Sequence, residues 1–162
     1  MKPLAGLRVL DLTRVMAGPF CTALLADPGA EVIKLEPPQG DDYRHSGPFV
    51  VGGSALFTLM NRGKQSIVPD LKDPQAQATA RAIAPHCDVV VENFRPGVAA
   101  RLGLRLGLGL GLGPELRNKK PALIYAPISG FGQTGPAAHL PAYDLQGSAE
   151  IQRNIIAGLH LH

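Results

Sequence analysis

Short apolar runs recur along the chain, each bounded by turn-forming residues, and their spacing predicts alternating strands and helices. Leu7-Arg8-Val9-Leu10-Asp11-Leu12 reads as a first strand. The loop Thr13-Arg14-Val15-Met16-Ala17-Gly18-Pro19 follows. Phe20 to Ala26 then reads as a helix, with Pro19 in its first turn, where a missing amide leaves no bond unmade. Asp27-Pro28-Gly29 ends the helix, and Glu31-Val32-Ile33-Lys34-Leu35 reads as a second strand. Strand, helix, strand in this order predicts the βαβ unit of a parallel sheet.

The stretch from Glu36 to Gly53 is polar and rich in glycine and proline, which predicts a surface excursion. Its adjacent Asp41 and Asp42 suggest a hard-cation site, but such a site needs several more oxygen ligands at fixed spacing, so a solvated loop is the expectation. Ser54 to Met60 is apolar without a clear period, and Asn61 to Gln65 reads as a turn. Ser66 to Leu71 resembles a strand, with Pro69 marking an edge or an end. Asp73 is a candidate N-cap with Pro74 at N1, opening a helix over Gln75 to Ala84. Asp88-Val89-Val90-Val91-Glu92 places three β-branched residues in a row, the signature of a strand buried on both faces. Asn93 to Gly97 is a loop, and Val98 to Leu104 begins a further helix.

Leu102 to Gly113 alternates leucine with glycine, apart from Arg105. Glycine at nearly every second position weakens strand and helix alike, so this low-complexity tract is expected to be irregular. Leu123 to Ile128 is the last good strand. Residues 146–162 carry no amphipathic period and are expected to form an atypical, disordered tail behind a domain spanning residues 1–145. Strands near 7–12, 31–35, 66–70, 88–92 and 123–128 alternate with helices near 19–26, 74–84 and 96–104. The predicted fold is α/β: an open, mostly parallel sheet with flanking helices.

Composition narrows the function classes. A chain of 162 residues with 45% apolar residues builds a real core. The formal charge of +3 is mild, and no basic run with interleaved aromatics points to nucleic acid. The small positive excess suits an anionic ligand such as a phosphorylated cofactor. Cys21 and Cys87 form no CxxC or disulfide framework, so buried free thiols in a reducing compartment are expected. The first apolar run is interrupted by Arg8, Asp11 and Arg14, which fits neither a signal peptide nor a membrane span; a cytoplasmic protein is the expected class. His160 and His162 do not complete a zinc site, and no metal is expected.

The densest candidate chemistry lies between Leu123 and Leu145. The last strand runs into Ser129-Gly130-Phe131-Gly132-Gln133-Thr134-Gly135-Pro136, and Pro141-Ala142-Tyr143-Asp144 follows. Glycines at 130, 132 and 135 let the backbone turn sharply and approach a ligand closely. Ligands of open α/β sheets sit beyond the carboxyl ends of the strands. Asp144, delivered just past such a loop, is a candidate nucleophile; the alternative is that the glycines only make turns and Asp144 caps a helix. The first strand-to-helix loop carries Ala17-Gly18-Pro19 and not GxGxxG, and there is no GxxxxGK[ST] loop, which argues against NAD and P-loop nucleotides.

Five blocks, in order, carry a resemblance: VLDLTRVMAGPF at 9–20, GAEVIKLEPPQGDD at 29–42, NRGKQSIVPDLKDP at 61–74, DVVVENFRPGV at 88–98, and SGFGQTGP followed by PAYDL. Together they resemble the class III CoA-transferases, a family that includes formyl-CoA and carnitine CoA-transferases and has α-methylacyl-CoA racemases as relatives. The similarity runs from about Leu4 to Leu145. It implies a Rossmann-like sheet that binds coenzyme A as substrate, with no tightly bound cofactor, and an interlocked homodimer. It implies that Val15 and Ala17 lie against the CoA, and that Lys72, Asn93, Phe94 and Arg101 contact its adenine, ribose or phosphates. Lys72 and Arg101 would supply charge, and Phe94 an apolar or stacking surface. The plainer alternatives are a surface cation at Lys72, a core ring at Phe94 and a solvated helix residue at Arg101.

Asp144 matches the family's catalytic aspartate, which implies transfer of CoA from an acyl-CoA to a carboxylic acid acceptor through an aspartyl intermediate. Tyr143 stands where racemase relatives usually carry histidine, which favours transferase over racemase; His139 takes no role from the match and is expected to be an exposed loop residue. The chain also departs from the family. Pro37-Pro38 replace a basic residue often used for the CoA phosphate, Pro69 replaces an apolar strand residue, and the Leu-Gly tract replaces a helical link. The pattern present is the family's first part, without the second domain and glycine-rich cover that the resemblance implies for the remainder. A non-catalytic remnant with weak or no CoA binding is therefore the alternative to an active transferase.

Overall fold

The computed structural model describes residues 2–70, 73–95, 98, 120–140 and 142. Five strands form one sheet: β1 (Arg8–Asp11), β2 (Glu31–Leu35), β5 (Lys64–Ile67), β6 (Val89–Glu92) and β7 (Ile124–Pro127), in the order β5-β2-β1-β6-β7. A two-stranded hairpin of β3 (Phe49–Val50) and β4 (Gly53–Ser54) lies between β2 and β5 in sequence. The helices are α1 (Ala17–Ala26), α2 (Ala55–Met60) and α3 (Pro74–Ile83).

All four pairings of the large sheet are parallel. The central β1 sets the register, with Leu10 opposite Ile33 on one side and Val90 on the other. Counted in chain order, the sheet strands run 3-2-1-4-5, the order of a mononucleotide-binding α/β unit whose winding reverses beside its first strand. The reversal falls between β1 and β6.

Alternation along the strands feeds two cores. Leu10, Leu35 and Val90 face Ala80 and Ala84 of α3 and its following turn. Val9, Val32, Val89 and Val91 face Cys21 and Ala26 of α1. Each side buries a valine- and leucine-rich face worth about 25 cal/mol per Å² removed from water. The run Val89-Val90-Val91 is buried throughout, as three adjacent β-branched residues predict.

The predicted strands and helices are found with small shifts, apart from the helix near 96–104, of which only Val98 is described. Asp73 caps α3 by accepting from the Gln75 amide at 2.9 Å, with Pro74 in the first turn. The apolar stretch of undecided type is α2, capped by the Ser54 hydroxyl, which accepts from Phe57 N–H at 3.2 Å. Two expectations are corrected. The third sheet strand is Lys64–Ile67 and not 66–70; Lys64 and Gln65, read as a turn because they are polar, pair with Val32 and Ile33. Asp41, read as part of a solvated loop, is completely buried. The Leu-Gly tract, the tail from 146, and Lys72, Arg101, Tyr143 and Asp144 lie outside the described residues.

Candidate active site at the sheet reversal

Because the sheet is parallel, the loops that follow β1, β2, β5, β6 and β7 all leave from one edge. The crevice of such a sheet opens where the winding reverses, here between the loops after β1 and β6. Val15 belongs to the first of these loops and Ala17 opens α1 just beyond it, while Asn93 and Phe94 belong to the second.

The two loops are joined directly. The Arg14 amide donates to Asn93 Oδ1 at 2.9 Å, and Asn93 Nδ2 donates to the Arg14 carbonyl at 2.8 Å. The Arg14 guanidinium carbon lies 5.7 Å from the centre of the Phe94 ring, within cation–π range. Phe94 is half-buried and packs against the α3-side core.

Val15 takes φ +69°, the single left-handed non-glycine among the described residues. A β-branched side chain there is strained, at a cost of about 1–3 kcal/mol. Its amide donates to Asp41 Oδ1 at 3.2 Å, and Thr13 N–H donates to Asp11 Oδ1 at 2.9 Å. The amides of residues 13, 14 and 15 are thus each taken by a side chain from a different segment. At the start of α1, Gly18 abuts Thr13 so closely that a Cβ at 18 would collide with the threonine side chain.

Beneath these loops, on the α1 face, lies a buried ionic network. Lys64 Nζ sits 2.9 Å from Asp11 Oδ2 and also donates to the carbonyl of Pro19 at 2.8 Å. Thr22 donates to Asp11 Oδ2 at 2.6 Å. Lys34 Nζ donates to the Thr13 carbonyl at 2.7 Å and lies 3.0 Å from Asp41 Oδ2; that contact is an ion pair off the hydrogen-bond direction. Two ammonium groups are thereby balanced by two carboxylates, which buried charges require. Burial pushes the Lys64 ammonium below the usual lysine range, with Asp11 pulling the other way.

Glu36, the residue directly after β2, is buried beside this network. Burial alone would raise its carboxyl, but hydrogen bonds from Arg44, Ser66 and the Asp41 amide overcome that and bring it down to about 2. Arg44 grips it with two bonds of 2.6 Å and stacks over Phe57, 3.7 Å from the ring centre. On the α3 face, Glu92 is buried at the end of β6. It accepts from Phe94 N–H at 2.7 Å and from the Tyr125 hydroxyl at 2.9 Å, and burial pushes its carboxyl up.

The segment after β7 carries the glycines singled out in the sequence. Gly132 and Gly135 have φ of +82° and +96°, conformations that favour glycine. Gly130 instead meets Ala142 so closely that any side chain at 130 would strike its Cβ, which brings the loop against Ala142. His139 is exposed. Both cysteines are free and buried, and burial with Asp11 nearby pushes the Cys21 thiol up to about 11, so it is no nucleophile at neutral pH. Among the described residues no three His, Cys, Asp or Glu side chains gather as a metal site, and no helix is long and apolar enough to cross a membrane.

Of the residues singled out in the sequence, Val15, Ala17, Asn93 and Phe94 fall beside the reversal of the sheet, and Lys72, Arg101 and Asp144 lie outside the described residues. The sequence marks these positions by the resemblance alone. It misses Asp41, Lys34, Lys64, Glu36 and Glu92, which fix the loops from beneath. Lys34 offered the clearest signal, a charge in the middle of an apolar strand run, where an unpaired lysine is rarely buried.

Comparison with known proteins is consistent with this architecture. The chain is 52% identical over 143 residues to the acetyl-CoA:oxalate CoA-transferase of Acetobacter aceti, covering 88% of this chain and 35% of that protein. It is 47% identical over 151 residues to the succinyl-CoA:glutarate CoA-transferase of Mus musculus, covering 92% of this chain and 33% of that protein. The chain therefore spans about a third of the length of these curated relatives. The crystal structure of a hypothetical protein from Mycobacterium tuberculosis superposes with a TM-score of 0.76 at 41% identity, covering 90% of this chain and 38% of that one. The model of CoA-transferase family III matches residues 4–151, and the chain belongs to that family.

Proposed function

We propose that the chain binds an acyl-CoA in the crevice between the loops after β1 and β6 and takes part in transferring CoA to a carboxylic acid. The observation that supports this reading most is that Arg14 and Asn93 tie the loop carrying Val15 directly to the loop carrying Asn93 and Phe94 at the sheet reversal, beside positions that the resemblance makes CoA contacts. On this reading, residues 1–145 are the N-terminal part of a CoA-binding domain. Lys72 and Arg101 complete the contacts to the nucleotide, CoA is substrate and no cofactor is held, and the working form is a cytoplasmic homodimer.

Asp144 is the proposed nucleophile. Its carboxylate attacks the thioester carbonyl, the C–S bond breaks, and CoA leaves as thiolate from an aspartyl anhydride. The thiolate then attacks the aspartyl carbonyl and expels the donor acid, leaving an aspartyl-CoA thioester. An acceptor carboxylate reverses the two steps, so atoms balance without water. The relatives named above are called after oxalate and glutarate, so a dicarboxylic acid is the proposed acceptor class.

The test incubates the chain with acetyl-CoA and oxalate, or succinyl-CoA and glutarate, quenches with hydroxylamine, and reads the peptide containing Asp144 by mass spectrometry. A hydroxamate on Asp144, absent in Asp144→Ala together with exchange, is the expected result. CoA binding with neither label nor exchange would make the chain a non-catalytic binding module. Absence of CoA binding would overturn the reading altogether.

A further inference from the structure

A strand-to-helix loop ordinarily offers its amides to a phosphate. Here the amides of Thr13, Arg14 and Val15 are engaged by Asp11, Asn93 and Asp41 instead. Their work is conformational. Lys34 and Asp41 grip the loop on both sides of Arg14: Lys34 holds the Thr13 carbonyl at 2.7 Å, and Asp41 holds the Val15 amide at 3.2 Å. Asp41 is itself fixed, fully buried, with Lys34 3.0 Å away and the Tyr43 amide donating to its Oδ1 at 3.1 Å. A strained backbone persists only where its surroundings over-determine it, and this tether bears on the one strained non-glycine residue of the loop.

We propose that Asp41, charge-balanced by Lys34, is a positioning residue that holds Val15 in its left-handed conformation and so sets the surface the first loop presents to acyl-CoA. The inference deepens the reading above and rests on it for the identity of the ligand. Asp41 touches the loop backbone and acts on the ligand only through Val15.

Two double variants of the full chain isolate the hydrogen bond from the ion pair. Lys34→Met with Asp41→Asn removes both charges and keeps an acceptor for Val15 N–H. Lys34→Met with Asp41→Leu removes the charges and the acceptor. CoA affinity is measured by calorimetry, stability by thermal melting, and exchange of the Val15 amide by NMR. The Asn pair is expected to bind CoA within about threefold of the unchanged chain, and the Leu pair about tenfold more weakly, a difference of about 1.4 kcal/mol. The Val15 amide should exchange faster in the Leu pair than in the Asn pair. Equal affinities in the two pairs would overturn the proposal, since a merely structural ion pair is lost from both. Should the unchanged chain bind no CoA, the functional reading fails and amide exchange decides alone: equal Val15 rates in the two pairs overturn the tether, and a faster rate in the Leu pair upholds it. Should the Leu pair not melt cooperatively, Lys34→Met with Asp41→Ala takes its place with the same expected outcomes.

Discussion

Arg14 and Asn93 hold each other through two hydrogen bonds, amide to carboxamide oxygen at 2.9 Å and carboxamide nitrogen to carbonyl at 2.8 Å, across 79 residues of chain. The pair ties the loop after β1 to the loop after β6. Asn93→Ala leaves a half-buried amide and a carbonyl without these partners, and unfolding in urea should show a loss of about 1–3 kcal/mol. Asn93→Asp keeps the acceptor but sets a carboxylate oxygen against the Arg14 carbonyl, so it should recover less than half of that loss.

Gly18→Ala tests the contact between α1 and the first loop. Helix propensity alone would make the change stabilising by about 1 kcal/mol. The Cβ would instead meet the Thr13 side chain, whose hydroxyl is held by Asp11 at 2.5 Å and cannot swing away freely. The expected sign is therefore destabilising, by about 1–3 kcal/mol in a denaturant titration.

Glu36 makes stability depend on acid. Its carboxyl is depressed from 4.5 to about 2 in the folded chain, so its contribution is present above the unfolded value and is lost as pH falls through the folded one. Unfolding free energy should drop between about pH 5 and pH 2 by on the order of 2–3 kcal/mol from this group. Glu36→Gln should be less stable than the unchanged chain at pH 7, and the gap should narrow through that window.

Glu92 runs the other way. Burial raises its carboxyl, so the folded chain binds the proton more tightly than the unfolded chain, and stability falls as pH rises through the folded value. Glu92→Gln can still accept from Phe94 N–H and can donate to the Tyr125 oxygen. The variant should melt higher at pH 7, by on the order of 1 kcal/mol. That advantage should shrink as pH falls below the ordinary glutamate range, where the Glu92 carboxyl takes up its proton in both states.

The sheet was legible from the sequence because its strands announce themselves by local apolar runs. Val89-Val90-Val91 is buried throughout, and Glu31 to Leu35 is a strand as read. The layer that supports the site was not legible, because it rests on partners far apart in sequence. Lys64 looks like a turn residue until its ammonium is set against Asp11, 53 positions earlier. Asp41 looks solvated until Lys34 and the Val15 amide meet it inside the protein. Local polarity reads such residues as surface, and only the tertiary pairing reverses the sign. The resemblance marks Asn93 only as an expected CoA contact, and its two bonds to the Arg14 backbone give it a structural task that no local pattern announces.

The first strand of the chain is also the middle strand of its sheet. During synthesis, β1 and β2 leave the ribosome before β6, so the other edge of β1 stays open until Val89–Glu92 emerges. Until then the nascent chain carries an unpaired apolar strand edge, the kind of surface that chaperones hold and that aggregates when left alone. Asn93 follows that closing strand directly. Protection of the edge and assembly of the crevice therefore arrive together, with a single stretch of five residues.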